Sequence, residues 1–278
     1  MRFWILPFLL GFTPLSFADV GLSELWSTSG LRTPESVLMI GDGPEGFLLV
    51  SQIDGSATEK DGKGGIAKMS LAGEIIDADW LSGLNAPKGL ATHDGKVIVT
   101  DIDQVLVIDL ASAAIEKRIT VDGAVFLNDV AVDDKSAIYV TDTRTNKVHR
   151  IYEGAVEDYL TDVPGANGVT YANNRLYVAG NDTLWQVEKA GSKTAIAKGF
   201  AENADGLEQI AEDTFIVSCW AGLVYLVKEG ELKLLVDTRE EGKNTADIGW
   251  NPRENIVYIP TFSANSVAAY TLTDKGGF

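Results

Sequence analysis

The chain has 278 residues, 45% hydrophobic and 23% charged, with 23 Lys and Arg against 40 Asp and Glu for a net charge of -17. That composition supports a large packed core and excludes disorder as the main state. A chain this acidic is repelled by phosphate backbones and anionic lipid, which excludes nucleic acid as a natural partner and leaves cations open.

Met1-Arg2 carry positive charge, Phe3 to Phe12 carry none, and Ser16-Phe17-Ala18 sets small residues before a possible cut. This is the layout of a secretory signal peptide. Residues 1–18 are expected to be removed and residues 19–278 to form the mature domain, periplasmic or secreted. The apolar run falls short of the ~20 residues of a spanning helix. No later segment is suited to span either, so no membrane partner is expected after cleavage. Cys219 is the sole cysteine, so packing or a metal must do what disulfides cannot.

Six segments then repeat in phase. They open at Glu35-Ser-Val-Leu, Lys88-Gly-Leu-Ala, Asn128-Asp-Val-Ala, Asn167-Gly-Val-Thr, Asp205-Gly-Leu-Glu and Asp247-Ile-Gly-Trp. After each comes a turn, then a β-rich run such as Val97-Ile-Val-Thr-Asp or Ile138-Tyr-Val-Thr-Asp, then two further strands. The openings stand 53, 40, 39, 38 and 42 residues apart. That spacing fits one four-stranded propeller blade per repeat. The long first gap holds Asp54 to Gly65, which reads as a mobile inserted loop. The last repeat stops after Ser266-Val-Ala-Ala-Tyr-Thr-Leu, its third strand, while Leu22-Ser-Glu-Leu-Trp26 has no blade of its own. The sequence therefore predicts an all-β, six-bladed β-propeller whose ring is closed by the N-terminal strand. Closure also removes a sheet edge. A two-sheet sandwich would not explain the sixfold phase.

In such a blade the opening residues lie on the innermost strand and ring one mouth of the central channel. The ends of the second strands, among them Ser51, Asp101, Asp142 and Cys219, are expected on the same face. Asn-Gly and Asp-Gly pairs are ordinary turn signals, but Asn128, Asn167 and Asp205 share one repeat position, with Glu35 there in the first repeat. Two carboxylates and two amide oxygens converging on an axis suit a hard divalent cation, most readily Ca²⁺. One Cys and two His cannot build a structural zinc site. Without an ion, one of the two carboxylates would have to hold a proton. His93, in a turn at the far end of its blade, and His149, on a peripheral strand, are expected to be structural. Lys88, Asp101, Asp142, Trp220, Asp247 and Phe262 are expected around a small-molecule substrate at the mouth.

These residues resemble the SMP-30/gluconolactonase-like superfamily of calcium-dependent six-bladed propellers, which includes regucalcin, diisopropyl fluorophosphatase and the paraoxonases. The matching positions are Glu35 in Pro-Glu-Ser-Val, Asn128 in Asn-Asp-Val, Asn167 in Ala-Asn-Gly-Val and Asp205 in Ala-Asp-Gly-Leu. The resemblance implies a catalytic metal on these four residues. Gluconolactonases carry Arg-x-Asn-Asp-Gly at the third blade. Here the run is Phe126-Leu-Asn-Asp-Val130, without the Arg that helps hold a sugar acid. Two readings follow. One is an exported metal-dependent hydrolase of a lactone, ester or phosphotriester, with Asp205 as base or nucleophile. The other is a non-catalytic propeller that binds a ligand or a protein partner around a structural ion.

Overall fold

The computed structural model describes residues 20–41, 43–188 and 191–274, so the expected signal peptide lies outside the described residues. Six four-stranded antiparallel sheets follow one another along the chain, at 34–84, 87–120, 127–160, 166–198, 204–237 and 249–274. The sixth has three strands of its own. Val20–Ser29 supplies the fourth, antiparallel to Ser266–Asp274, with Leu22 opposite Leu272 and Trp26 opposite Ala269. The closure is as the sequence predicts, and it runs longer, from Val20 to Ser29. Among the described residues no helix is long and apolar enough to cross a membrane.

Among the described residues six core clusters are each shared by two neighbouring blades, and a small seventh of Ile53, Ala86 and Ile102 lies beside the mouth. Leu90, Val99 and Leu106 of the second blade pack on Leu49 and Ile66 of the first, and Leu207, Phe215 and Val217 of the fifth on Tyr177 and Ala179 of the fourth. The seam between sixth and first blades joins Tyr258 and Val267 to Val37 and Leu48, with Trp26 against Tyr258 at 6.0 Å between ring centres. The second strand of every blade is buried along nearly its whole length and so on both faces, while the outer strands are mostly half-buried or exposed, and no blade is a core alone.

The inner strand is irregular at the same place in five blades. Pro34 pairs with Gln52 but Val37 with Val50, leaving one extra residue on the inner strand. The same shift falls between Pro87 and Leu90, Leu127 and Val130, Ala166 and Val169, and Ala204 and Leu207. Each is a β-bulge, which re-aims side chains. Second-strand hydroxyls satisfy the backbone groups that the bulges free. Ser51 Oγ accepts from Ser36 N–H, Thr141 Oγ1 from Asp129 N–H and Ser218 Oγ from Gly206 N–H, at 2.9, 2.9 and 2.8 Å. Thr100 donates instead to the Asn128 carbonyl of the next blade. Neighbouring inner strands pass so closely that a Cβ at Gly168 would collide with the Asp205 carbonyl. At Gly206 it would lie 2.8 Å from Asp247 Oδ1.

The sixth repeat differs from the predicted phase. Gly249 pairs with Tyr258, which sets Ile248 where Leu207 stands in the fifth blade. Ala246 therefore holds the opening position, and Asp247 lies one residue further in, bridged to Ser36. Asp247 N–H donates to Glu35 O at 2.9 Å, and its carboxylate accepts from Ser36 Oγ at 2.5 Å.

If closure holds the ring, deleting residues 20–29 strips one strand from the sixth blade and Trp26 from its seam. The melting temperature should drop by ~10 °C or more, because a domain of this size loses about 2–4 °C per kcal/mol. A truncated protein that melts with the parent would contradict the closure.

Candidate functional site

The bulges turn the opening residues of blades one to five, Glu35, Lys88, Asn128, Asn167 and Asp205, into the floor of one cavity of about 240 Å³. Four of them are the ion ligands expected from the sequence. Each of those four is buried or half-buried. Glu35 Oε2, Asn167 Oδ1 and Asp205 Oδ1 are buried with no hydrogen-bond partner. Asn128 spends its amide nitrogen on Thr143 Oγ1 at 3.0 Å, leaving its carbonyl oxygen as the end available to a ligand. Orphaned acceptors are costly in a folded interior. Here they come from three blades and share one floor.

The electrostatics agree. Burial pushes the Glu35 carboxyl well above its usual range, and the charges of Asp205 and Asp247 push it further, while Lys88 opposes. Asp205 is raised by burial and by Asp247, against a hydrogen bond from Asn167. Such a floor holds either protons or a cation. Among the described residues no three His, Cys, Asp or Glu side chains gather closely enough to hold an ion by themselves. The donor set that fits one is mixed, two carboxylates and two amide oxygens, the all-oxygen chemistry that suits calcium.

Lys88 is 1% exposed. Its ammonium donates to Ala86 O at 3.0 Å and Ala57 O at 3.3 Å and lies 4.4 Å from the centre of the Phe126 ring. Burial pulls its pKa below the usual lysine value, against the attraction of Glu35 and Asp101. The walls are mostly apolar. Ile53, Ala57 and Phe126 line the cavity, as do Trp220 and Phe262, whose rings meet edge to face at 4.5 Å. Ala57 belongs to the 54–65 insertion, which the sequence casts as a mobile loop. The structure packs Ala57 and Phe262 against Ile53, Ala86 and Ile102, and ties Lys60 to Asp103 at 2.6 Å. Sequence reasoning missed this wall, and also Thr143, Asn181 and Asn203. Thr143 and Asn181 stand one residue past the second-strand ends, the repeat position that Trp220 also holds, and Asn203 holds the position of Phe126, whereas Ala57 lies outside the repeat.

Asp101, Asp142 and Asp247 do not line the cavity. Asp101 accepts from Asn85 N–H and Ala86 N–H at 3.1 and 2.8 Å, and Asp142 from Val125 N–H and Phe126 N–H at 2.9 and 3.1 Å. Both are latches that hold the loop entering the inner strand of their own blade. Burial works against the Asp142 charge, but these hydrogen bonds, with the His149 ring 3.8 Å away, hold its pKa down at about 2. Asp247, one residue out of phase, faces the other end of the channel with Asp129 and Glu208. His149 is buried against Asp158 at 3.0 Å and His93 bonds Ser136 Oγ at 2.8 Å, so neither reaches the floor. Burial, with Asp205, pushes the Cys219 thiol up to about 12, which removes it as a nucleophile at neutral pH.

No family model and no curated protein matches the chain. Among solved structures it is similar to a streptogramin B lyase, at 12% identity over 92% of this chain and 99% of that one, with a TM-score of 0.67. It is similar to a catalytically inactive virginiamycin B lyase from Staphylococcus aureus solved with quinupristin, at 13% identity over 92% and 100%, with a TM-score of 0.63. A candidate gluconolactonase aligns at 13% identity over 94% of each chain, with a TM-score of 0.67. At these identities the likeness is one of fold, and it extends over nearly the whole propeller.

The channel acids set a pH dependence. Burial raises Asp247 to about 7, against hydrogen bonds from Ser36 and Ile248, and raises Glu208 to about 8, helped by Asp247. Unfolded carboxyls titrate near ~4. The folded protein keeps these protons longer than the unfolded chain, so their contribution is complete below about pH 4 and is lost as pH rises through about 7 to 8. In chelator, the melting temperature should fall between pH 5 and 8, and Asp247→Asn should flatten that fall. A thermal-denaturation series showing no decline in the parent would contradict it.

Proposed function

We propose that the protein is a calcium-dependent hydrolase that acts on a small ester, lactone or phosphotriester in the central pocket. The observation that carries the reading is the set of unpartnered oxygens on Glu35, Asn167 and Asp205, gathered on one floor. When bound, calcium supplies a Lewis acid for a carbonyl or phosphoryl oxygen. Glu35 and Asp205 neutralise its charge, and the amide oxygens of Asn128 and Asn167 complete the protein's share of the shell. Asp205 is also the carboxylate for the chemistry, as base for a water or as nucleophile. Phe126, Trp220 and Phe262 hold the substrate body and keep water from the floor. The Ser16-Phe17-Ala18 pattern supports export, to a compartment where calcium is abundant enough for a Kd of ~10⁻⁴ to 10⁻³ M to suffice.

One observation favours the second reading, a binding propeller with a structural ion. No histidine lines the pocket, and a carboxylate bound to a cation is a weak base.

Calcium should raise the melting temperature, with about 2.7 kcal/mol of stabilisation at a hundredfold excess over Kd, and chelation should reverse it. Asp205→Asn keeps an oxygen ligand but loses the charge. At calcium concentrations that restore its stability it should still lose at least a hundredfold in turnover of an aryl ester, lactone or phosphotriester. Parent and variant equally inert on that panel, both binding calcium, would replace the hydrolase by the binding propeller. A parent that calcium does not stabilise would remove both.

A further inference from the structure

Lys88 is a buried cation without a counter-ion. Charged side chains are rarely this buried unless paired. Yet among the described residues no carboxylate lies within ion-pair distance of its ammonium, whose company is two neutral carbonyls, the Phe126 ring face and the repelling charge of Arg144 over that same ring. An ammonium has three N–H donors. Two are spent on Ala86 O and Ala57 O. The third has no acceptor among the described residues, and Lys88 lines the cavity floor beside Glu35 and Asp205.

The charge count then matters. In the layer facing the cavity, Glu35 and Asp205 balance one divalent ion, and Lys88 adds a positive charge that no further cavity-lining carboxylate matches, Asp101 attracting it only from behind the wall. A loaded floor is one charge positive, and it lies at the base of an apolar chamber. Trp220, 38% exposed, faces the opening with Phe262, and Phe126 stands over the ammonium. At about 240 Å³ the chamber is smaller than the roughly 300–1,000 Å³ of drug-sized sites, room for one ring and a head group.

We propose that Lys88 selects the ligand, and that the ligand class is a compact single-ring aromatic oxyanion: the anionic oxygens on the floor between the ion and the Lys88 ammonium, the ring between Phe126 and the Trp220–Phe262 pair. The inference rests on the calcium site proposed above and deepens it. For a hydrolase it makes the acid released an aromatic carboxylate from an ester or lactone, or an aryl phosphodiester from a phosphotriester.

Calorimetry on the whole mature protein tests this without turnover. Calcium is titrated first, then benzoate, phenyl phosphate and the neutral isostere benzamide. Benzoate or phenyl phosphate should bind at least tenfold tighter than benzamide, and the tighter of the two names the head group. Lys88→Met should bind calcium at least as well as the parent and lose the preference for the anion. Lys88→Gln, which keeps a donor without the charge, repeats the test if the methionine variant does not fold. Trp220→Ala should weaken anion and isostere by a similar factor. Calcium binding with no preference for the anions, or a preference that survives both lysine variants, overturns the inference and leaves the ion site standing. No calcium binding in the first titration removes the ion site, and this inference with it.

Discussion

One extra residue in the inner strand of five blades is the constraint on which the site depends. A regular strand would send alternate residues to its two faces. The bulge breaks that alternation where five blades converge, and it turns Glu35, Lys88, Asn128, Asn167 and Asp205 to one mouth. It survives because its freed N–H groups are met by Ser51, Thr141 and Ser218 from the neighbouring strand. It also needs room, which Gly168 and Gly206 give by lacking a Cβ where the next blade's backbone arrives. Asn167-Gly168 and Asp205-Gly206 are thus each a side chain for the cavity followed by a gap for the neighbour, and not hairpin turns.

That convergence concentrates acid on the axis. Glu35 and Asp205 face one mouth, and Asp129, Asp247 and Glu208 face the other end of the channel. Burial drives all five carboxyls toward the protonated form. Asp129 and Asp247 have answers within the protein: Asp129 accepts from Val130 and Val169 N–H at 2.7 and 2.6 Å, and Asp247 from Ser36. Glu35 and Asp205 each keep an oxygen with no partner. The two layers are therefore not equivalent. In the inner one Asp129 and Asp247 are satisfied by the fold, and the outer one is open to a ligand.

The fold was legible because repetition is a strong signal. Six phases and an orphan N-terminal strand specified the ring and its closure, and the structure has both. Four site residues were legible for the same reason, since Glu35, Asn128, Asn167 and Asp205 occupy one repeat position. Asp247 shows the limit. It was aligned by chemical type, whereas strand register puts Ala246 in that position. Asp101 and Asp142 were placed on the right face but assigned to the mouth, because a strand's end does not reveal whether a carboxylate turns inward or caps the adjacent loop. The Ala57 wall lay in the one stretch outside the repeat, where periodicity carries no information.

The central claim is that the outer oxygens are held open for one hard cation. A crystal structure grown with calcium tests it most directly. The account predicts a single ion bound by Glu35, Asn128, Asn167 and Asp205 at roughly 2.3–2.6 Å, with the remaining positions free for water or ligand. An ion found only between Asp129 and Asp247, or a floor in which Glu35 and Asp205 share a proton and no ion binds, would contradict it.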